Sequence, residues 1–388
     1  MSDKTVAGGR GGRVGKVTAR VALLPGDGVG PEVTREAVKV LSAAGQAFGF
    51  SLEYTEALVG GCAVDDAGDP LPERTLQVCR DADAILFGAV GGPKWDYLPG
   101  DKRPEQGILG LRKTLGLFAN LRPVVLWPAL SSQTPLKAEL VRERPDILIV
   151  RELTGGLYFG AHRRVPSKRG GGERATDVMA YSTREIERVA RVAFRAAQGR
   201  SKRLASADKA NVLASSRLWR DTVDAVAHEF PDVQVRHLYA DNCAMQMVLR
   251  PSQFDVLLAE NTFGDILSDL GGALAGSLGM LPSASLGRGR KGLYEPVHGS
   301  APDIAGQGIA NPLAAILSAA MMLRHTFGLT RAADAIDRAV GAALDWGHRT
   351  RDIAEPGKSI TGTSEMGDVV ASLLAAERSG AAADGTGP

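Results

Sequence analysis

The sequence predicts an α/β fold, because short apolar segments typical of buried strands alternate along the chain with segments of helical periodicity. Residues 17–24 form the first predicted strand, and a helix with Pro31 near its first turn follows the glycine-rich loop. The run 183–197 has the pattern of an amphipathic helix, and residues 147–150 have that of a short strand. With 388 residues, the chain is long enough for two or three domains or for one large two-lobed unit.

Composition argues against several classes of protein. Hydrophobic residues make up 44% of the chain, charged residues 23%, and the net charge is +2, which gives no general case for binding nucleic acid or a membrane. No apolar run reaches the roughly 18 residues that a membrane span needs. The three cysteines fit neither a disulfide framework nor a metal-binding pair, so we expect a protein of the reducing cytoplasm. We expect flexible tails at residues 1–16 and 380–388.

Two glycine-containing loops follow predicted strands and are candidate ligand-binding loops. The first contains Gly26, Gly28 and Gly30, whose spacing does not match the dinucleotide-binding fingerprint. The second, 91–96, follows a strand at 84–90. A strand, a glycine loop and a helix N-terminus together often hold an anion or a cofactor, although a plain turn uses the same residues.

The segment 260–269 carries the most informative acids. If the residues from Phe263 onward are helical, Asp265 and Asp269 project from one helix face about one turn apart. Like charges at this spacing repel, and a divalent cation, which prefers oxygen ligands, would compensate them. The alternatives are two solvated acids or acids paired with arginines. A third acid, Asp241, lies in a polar island between apolar segments, where a helix cap is the more common role.

Several basic residues stand beside apolar segments at the ends of predicted elements. Arg112, Arg122 and Arg151 are candidates for carboxylate binding, because a guanidinium matches a carboxylate with two hydrogen bonds. Taken singly, each is as readily explained by a surface salt bridge. Lys209 lies where a strand becomes a loop, and a solvated lysine is the simpler interpretation. The basic segment 162–174 is predicted to be an exposed hairpin tip or loop, with no role in nucleic-acid binding.

The loop 292–306 has the composition of a nucleotide-binding loop. His298 could stack on or hydrogen-bond an adenine, and Asp303 could accept hydrogen bonds from ribose hydroxyls. An acid at that place repels a 2′-phosphate, which favours NAD over NADP. The alternative is a structural turn whose histidine satisfies a neighbouring group.

Five segments, in the family's order, resemble the motifs of the isocitrate and isopropylmalate dehydrogenases, a family of metal-dependent decarboxylating β-hydroxyacid dehydrogenases: 24–32, 151–160, 208–213, 261–269 and 298–312. The resemblance covers nearly the whole chain. It implies an α/β fold of two domains that is not a Rossmann fold, with the active site in the cleft between the domains. Residues 1–117 with 276–388 would bind the cofactor, and residues 118–275 would bind substrate and metal and form a homodimer.

The resemblance also implies roles for particular residues. The catalytic pair would be Tyr158 and Lys209, and the ligands of Mg²⁺ or Mn²⁺ would be Asp241, Asp265 and Asp269. The substrate-binding residues would be Arg112, Arg122, Arg151, Asp241, Glu105, Ile108, Leu109 and Val212. The NAD-binding residues would be Gly91, Gly92, Glu105, Glu295, His298, Gly299, Ser300, Ala301, Asp303, Ile304 and Asn311. A monovalent cation such as K⁺ is a further candidate ligand. Lys209 and Asp241 would complete the active site of the partner subunit.

The substrate that this resemblance favours is 3-isopropylmalate, an intermediate of leucine biosynthesis. Ile108 and Leu109 precede Arg112 and, with Val212, would form an apolar wall for the isopropyl group. Isocitrate, homoisocitrate and tartrate are the alternative substrates, but isocitrate would need polar groups at this wall, because an unpaired third carboxylate is costly. A non-catalytic paralogue is the second alternative, and the intact set of catalytic residues and aspartates argues against it.

Overall fold

The computed structural model describes residues 17–167 and 171–383, and this part of the chain has the predicted α/β architecture. Its strands are β1 Val17–Gly26, β2 Phe50–Glu56, β3 Ala84–Ala89, β4 Ala119–Val125, β5 Asp146–Glu152, β6 His162–Pro166, β7 Glu173–Asp177, β8 Arg203–Asp208, β9 Gln234–Tyr239, β10 Val256–Ala259, β11 Pro282–Leu286 and β12 Gly292–Pro296. Its α-helices are α1 Gly30–Phe48, α2 Gly61–Ala67, α3 Glu73–Asp81, α4 Glu105–Thr114, α5 Ala138–Arg142, α6 Thr183–Gln198, α7 Ala214–Ala227, α8 Ala240–Leu249, α9 Asn261–Ala275, α10 Leu313–His325, α11 Thr330–Asp345 and α12 Thr363–Ala383.

Ten strands form one mixed sheet in the order β2-β1-β3-β12-β11-β4-β5-β10-β8-β9. The antiparallel pairs lie at its centre, where β11 pairs with β12 and β4, and β4 pairs with β5. On one side of the β11–β4 ladder the strands come from residues 17–89 and 282–296, and on the other side they come from 119–259. The two predicted domains therefore meet at this ladder, and their behaviour as separate domains stays a prediction.

Local sequence explains why these elements form. All six residues of β3 are buried, as is usual for a strand with both faces of the sheet covered. Helix α6 begins at a capping box, in which the Ser182 side chain accepts from the Glu185 backbone N–H and the Glu185 carboxylate accepts from that of Ser182. Helix α10 is buried from Leu313 to Leu323, and it packs against α1, α11 and the central strands. Its apolar surface forms the middle of the largest core cluster.

Alternation along β4 separates two sides of the molecule, because successive side chains of a strand point to opposite faces. Leu121 and Pro123 face a cavity of about 670 Å³ whose walls come from β4, β5, α6, α10 and α11. None of the predicted site residues lines that cavity. Arg122 lies between these two residues in sequence and therefore faces the other side, where helix α9 crosses the sheet.

Within the segment 162–174, the described residues 162–167 and 171–174 confirm the prediction of an exposed hairpin. Strands β6 and β7 pair antiparallel with His162 opposite Asp177, and their residues are almost all exposed. The predicted C-terminal tail began at residue 380, and this boundary was wrong, since α12 continues to Ala383. The predicted tail 1–16, residues 168–170 and residues 384–388 lie outside the described residues. Among the helices of the described chain, none has the length and apolarity needed to cross a membrane.

Candidate active site

Two buried arginines and two helix acids meet on the α9 side of the sheet. Arg122 comes from β4 and is 7% exposed, and Arg151 comes from the neighbouring β5 and is 4% exposed. The prediction that Asp265 and Asp269 lie on a helix is confirmed, and both approach these arginines. Arg151 Nη1 contacts Asp265 Oδ1, while Arg122 Nη1 lies 3.5 Å from Asp265 Oδ1 and 3.6 Å from Asp269 Oδ1.

Burial within this cluster shifts the pKa values of its charged side chains. Burial and, less strongly, the Arg122 guanidinium lower the pKa of Arg151 to about 10, so the side chain is still charged at neutral pH. Partial burial raises the pKa of the Asp269 carboxyl, although the side chain is 60% exposed, and the Arg122 charge partly offsets this. Arg112 acts electrostatically on both Arg122 and Arg151. Three guanidinium groups thus share one region with three carboxylates, those of Asp265, Asp269 and Glu295, so their formal charges balance.

Tyr158 joins the same cluster from the loop that follows β5. Its Oη donates a hydrogen bond to Asp265 Oδ2 at 3.0 Å, and its ring lies 5.7 Å from the Arg151 guanidinium carbon. Burial and the adjacent Asp265 carboxylate raise the pKa of the phenol. Tyr158 therefore keeps its proton at neutral pH, as a proton donor requires.

Arg112, at the end of α4, is held by Glu295 of β12. Arg112 Nη2 donates to Glu295 Oε1 at 2.8 Å, and each side chain is 11% exposed. Arg112 Nε is buried and has no hydrogen-bond partner in the described part of the chain. A buried N–H without a partner is costly, so this atom marks a place where a carboxylate oxygen would be stabilised.

Lys209 and Asp241 form a second, separate pair. Lys209 Nζ lies 2.6 Å from Asp241 Oδ1, and the lysine holds the pKa of the Asp241 carboxyl below its usual range. The preceding residue, Asp208, fixes the backbone by accepting two hydrogen bonds from Arg220 at 2.9 Å and one from the Ala210 N–H at 2.9 Å. Asp241 is 69% exposed, so this pair faces outward from the chain.

One chain does not bring the three predicted metal ligands together. Across residues 17–167 and 171–383, no three side chains of His, Cys, Asp or Glu are grouped closely enough to hold a metal ion. Asp265 and Asp269 are two of the three predicted ligands, and Asp241 lies in the other pair. The neighbouring helices α8 and α9 also leave several large apolar side chains exposed, namely Met245, Val248, Leu249 and Ile266.

The three apolar residues predicted to contact the substrate differ in exposure. Ile108 is 8% exposed and packs in a core cluster with Leu111. Leu109 is half-buried on the same helix and three residues before Arg112. Val212 lies in the loop after Lys209 and is 63% exposed. Leu109 is therefore the residue of α4 that combines an available apolar surface with proximity in sequence to an arginine.

The predicted adenosine site coincides with a cavity of about 630 Å³, a size typical of ligand pockets. Its walls include His298, Gly299, Ala301, Ile304 and Asn311 of the predicted set, together with Val29, Ser277, Leu278, Gly279, Ile309, Ala310, Arg351 and Asp352. Three predicted NAD-binding residues of this part of the chain do not line it, and one of them is Glu295, which binds Arg112. Asp303 is exposed beside it, and Ser300 is buried, with its carbonyl accepting from the Val29 N–H at 2.8 Å.

His298 is prepared to accept a hydrogen bond in that cavity. Its Nδ1 lies 2.9 Å from the Gly299 carbonyl oxygen, which can only accept, so Nδ1 carries the proton. Nε2 is then an acceptor, and it is buried with no partner among the described residues. Burial also lowers the pKa of the imidazole, which keeps Nε2 unprotonated. An exocyclic amino group of a nucleotide base would satisfy it.

Asp27 organises the loops next to the predicted NAD-binding residues Gly91 and Gly92, and it was not among the predicted site residues. Its carboxylate is 4% exposed and accepts from the backbone N–H of Gly61 at 2.7 Å, Cys62 at 2.7 Å and Gly91 at 2.9 Å. Gly91 has a φ of +110°, and a Cβ there would lie 2.9 Å from Glu105 Oε1. The φ value favours glycine at this position, whereas the flexible end of the Glu105 side chain could move away from a Cβ.

Comparison with known proteins identifies the class to which this fold and site belong. Residues 20–370 match the isocitrate/isopropylmalate dehydrogenase family, and the chain belongs to that family. It is 58% identical over 352 residues to a 3-isopropylmalate dehydrogenase of Moorella thermoacetica, covering 90% of this chain and 98% of that protein. It is 56% identical to a 3-isopropylmalate dehydrogenase of Gloeobacter violaceus, covering 92% and 98%.

Solved structures give the same class. An isocitrate dehydrogenase of Methylococcus capsulatus superposes with a TM-score of 0.81 at 34% identity, covering 92% of this chain and 99% of that one. A β-decarboxylating dehydrogenase of Thermococcus kodakarensis superposes with a TM-score of 0.76 at 37% identity, covering 95% and 99%. The predicted family and its α/β fold, which contains one large mixed sheet, are therefore confirmed.

Proposed function

We propose that the chain catalyses the oxidative decarboxylation of 3-isopropylmalate by NAD⁺, which gives 4-methyl-2-oxopentanoate, NADH and CO₂ in leucine biosynthesis. The observation that carries the proposal is the arginine cluster. Arg112, Arg122 and Arg151 converge with Tyr158 and the two α9 acids, and Leu109 adds an apolar surface on the helix of Arg112. A small dicarboxylate with an aliphatic substituent fits that combination of charges and surface.

The two acids of α9 also fit a divalent cation. Asp265 and Asp269 are one helical turn apart, and they supply the hard oxygen ligands that Mg²⁺ and Mn²⁺ prefer. Asp241 would complete the ligand set from the partner subunit. When bound, the metal would polarise the substrate hydroxyl and stabilise negative charge on its oxygen.

The chain's own residues account for binding and proton movement. The arginines would hold the two carboxylates and fix C2 and its hydroxyl in one orientation. Lys209 would take the hydroxyl proton as NAD⁺ accepts the hydride from C2. The resulting β-keto acid loses CO₂, and Tyr158, which keeps its proton, would protonate the carbon that carried the lost carboxylate.

Isocitrate is the alternative substrate, since an isocitrate dehydrogenase has this fold. A third carboxylate beside Leu109 would face apolar surface, and a carboxylate left unpaired there would be poorly stabilised. A direct assay decides among the candidates. Metal-dependent NADH formation is measured with isopropylmalate, isocitrate, homoisocitrate and tartrate, and the highest kcat/KM is expected for isopropylmalate. A higher value for isocitrate would reject the proposed substrate.

We further propose a homodimer in which each active site combines residues of both subunits. Within one chain, the Lys209–Asp241 pair is separate from the Tyr158 cluster and faces outward. The exposed apolar side chains of α8 and α9 supply the kind of surface that a stable dimer buries. Residues 1–117 with 276–388 would bind NAD, and residues 118–275 would carry the dimer interface. We place the reaction in the cytoplasm, in keeping with the three free cysteines.

The apolar contact at Leu109 gives a prediction about selectivity. Burying a methyl or methylene group is worth about 0.8 kcal/mol. The three carbons of the isopropyl group should therefore raise kcat/KM for isopropylmalate over that for malate by roughly a hundredfold, and by at least about tenfold. Replacing Leu109 by Ser should lower kcat/KM for isopropylmalate and narrow this lead, while malate turnover changes little. Steady-state kinetics on both substrates measures the effect.

Leu115 provides the matched control for this prediction, because it is another half-buried leucine, at the end of the same helix. Leu115→Ser should affect stability without changing the ratio of the two kcat/KM values. Equal losses on both substrates in Leu109→Ser would place the isopropyl group elsewhere.

The acid beside the adenosine cavity gives a prediction about the cofactor. NAD should be preferred over NADP by at least about tenfold, because Asp303 would repel a 2′-phosphate. Replacing Asp303 by Lys together with Ile304 by Tyr should move the preference toward NADP. Arg351 is the cation that lines the same cavity. Its contribution to the ratio of kcat/KM for NAD and NADP is therefore measured separately, with Arg351→Ala. Equal kcat/KM with both cofactors in the unaltered enzyme would contradict the prediction.

A further inference from the structure

A buried asparagine lies between Arg151 and the loop that carries Tyr158. Asn261 is 1% exposed and is the first residue of α9. Its Oδ1 accepts from Arg151 Nε at 3.0 Å and from Arg151 Nη2 at 2.8 Å, and its Nδ2 donates to the Gly155 carbonyl at 3.0 Å. These contacts fix the orientation of the amide, because the flipped form would set an NH₂ group against the guanidinium and an oxygen against the carbonyl.

Asn261 determines which edge of Arg151 remains available. A guanidinium has five N–H donors. Asn261 occupies Nε and one N–H of Nη2, and Asp265 contacts Nη1. Asn261 therefore covers the side-on edge formed by Nε and Nη2, which directs a substrate carboxylate to the end-on edge formed by the two terminal nitrogens. Without Asn261, the guanidinium would be free to turn toward the acids of α9.

Tyr181 holds Asn261 and the Tyr158 loop in register. Its Oη accepts from the Asn261 backbone N–H at 2.9 Å and donates to Glu260 Oε2 at 3.0 Å. Its side chain packs directly on the loop, since a Cβ at Gly155 or Gly156 would lie 2.7 Å or 2.3 Å from an atom of Tyr181. The loop after β5, the start of α9 and Arg151 are thereby tied to one another through two side chains.

We propose that Asn261 is a positioning residue of the active site, which presents the end-on edge of Arg151 to a substrate carboxylate and, with Tyr181, places the loop of Tyr158. Asn261 acts through these two residues and does not itself contact the substrate. This inference rests on the proposed function in taking a dicarboxylate as the ligand of Arg151 and Tyr158 as a proton donor.

Replacing Asn261 by Ala is expected to lower kcat/KM by about ten- to a hundredfold, the range for losing hydrogen bonds to a charged group. The KM for the dicarboxylate should rise because Arg151 is released, and kcat should fall because the Tyr158 loop is released, while the KM for NAD⁺ stays unchanged. Tyr181→Phe should give the same pattern with a smaller loss. If the role of Asn261 were purely structural, the variant would lose thermal stability and yield less folded enzyme. The KM for the dicarboxylate would then not rise selectively over the KM for NAD⁺.

Thr262→Val is the matched control, because Thr262 is the next residue of α9 and its buried Oγ1 has no hydrogen-bond partner in the described chain. Its kinetic constants should equal those of the unaltered enzyme. If Asn261→Ala does not fold, the same kinetic constants are measured for Tyr181→Phe. An unchanged substrate KM in both Asn261→Ala and Tyr181→Phe would overturn the proposal.

A double-mutant cycle tests whether Asn261 acts through Arg151. In an Arg151→Gln background, Asn261→Ala should change substrate affinity by less than about threefold, because its partner is already gone. If the loss of substrate affinity in the double variant equals the product of the losses in the two single variants, the proposal is overturned. Equilibrium titration calorimetry with the dicarboxylate supplies the affinities where turnover is too slow. The assays use whichever dicarboxylate the unaltered enzyme oxidises, so rejection of isopropylmalate as the substrate leaves this test intact.

Discussion

Replacing Lys209 by Met is expected to lower kcat by about a hundred- to ten-thousandfold, the range for removal of a general acid or base, with little effect on stability. Lys209 lies in a loop, and its side chain contacts Asp241 and the Tyr239 ring rather than a core cluster. Replacing Tyr158 by Phe should cause a loss of similar order. Thermal unfolding of each variant, compared with that of the unaltered enzyme, checks that the fold is intact.

Mixing these two variants tests whether the active site is shared between subunits. In a random mixture, half of the dimers combine one Lys209→Met chain with one Tyr158→Phe chain, and one of their two sites is then complete. Activity should recover to about a quarter of that of the unaltered enzyme. Sites built within single chains would show no recovery, because every site would still lack one residue. A mixture of one variant with itself, treated identically, is the control.

Replacing Asp265 by Asn is expected to lower activity by about a hundredfold or more, since even outer partners of a metal site are typically worth ten- to a hundredfold. The change removes a ligand charge and also the charge that Arg151 and Tyr158 contact. Raising the concentration of Mg²⁺ should recover part of the activity if metal binding is what was weakened. Activity is measured as a Mg²⁺ titration, with unfolding temperature recorded in parallel.

Asp345 offers a matched control for this substitution, since it is an exposed acid at the end of another helix, α11. Asp345→Asn should leave the Mg²⁺ titration unchanged. Near-normal activity of Asp265→Asn at limiting Mg²⁺ would remove this acid from the metal site.

The features that depend on local periodicity were predictable from the sequence. The spacing of Asp265 and Asp269 on a helix and the capping box of Ser182 and Glu185 each involve residues at most four positions apart. The arginines could be nominated singly, but their convergence depends on β4 and β5 lying side by side in the sheet. Sequence periodicity gives no strand order. The convergence of the arginines could therefore be expected only from the resemblance of the motifs to those of the family.

Residues whose role depends on distant partners escaped prediction. Asp27 ties together Gly61 and Gly91, which lie 34 and 64 positions away. Arg351 and Asp352 reach the adenosine cavity from a segment some fifty residues beyond His298. Asp27 lies in a glycine loop, and its neighbours in sequence say nothing of the backbone N–H groups that its carboxylate binds.

The ladder between β11 and β4 has a consequence for unfolding. Leu121 and Asn120 pair with Ala284 and Ser285, so strands from the two predicted domains share backbone hydrogen bonds in the middle of one sheet. Opening either half to solvent exposes the edge strand of the other. The whole sheet should therefore unfold in one cooperative transition, and amide hydrogens of these central residues should exchange with solvent only through global opening. Movements of the two predicted domains during turnover should then be limited to bending and twisting of a sheet that stays continuous.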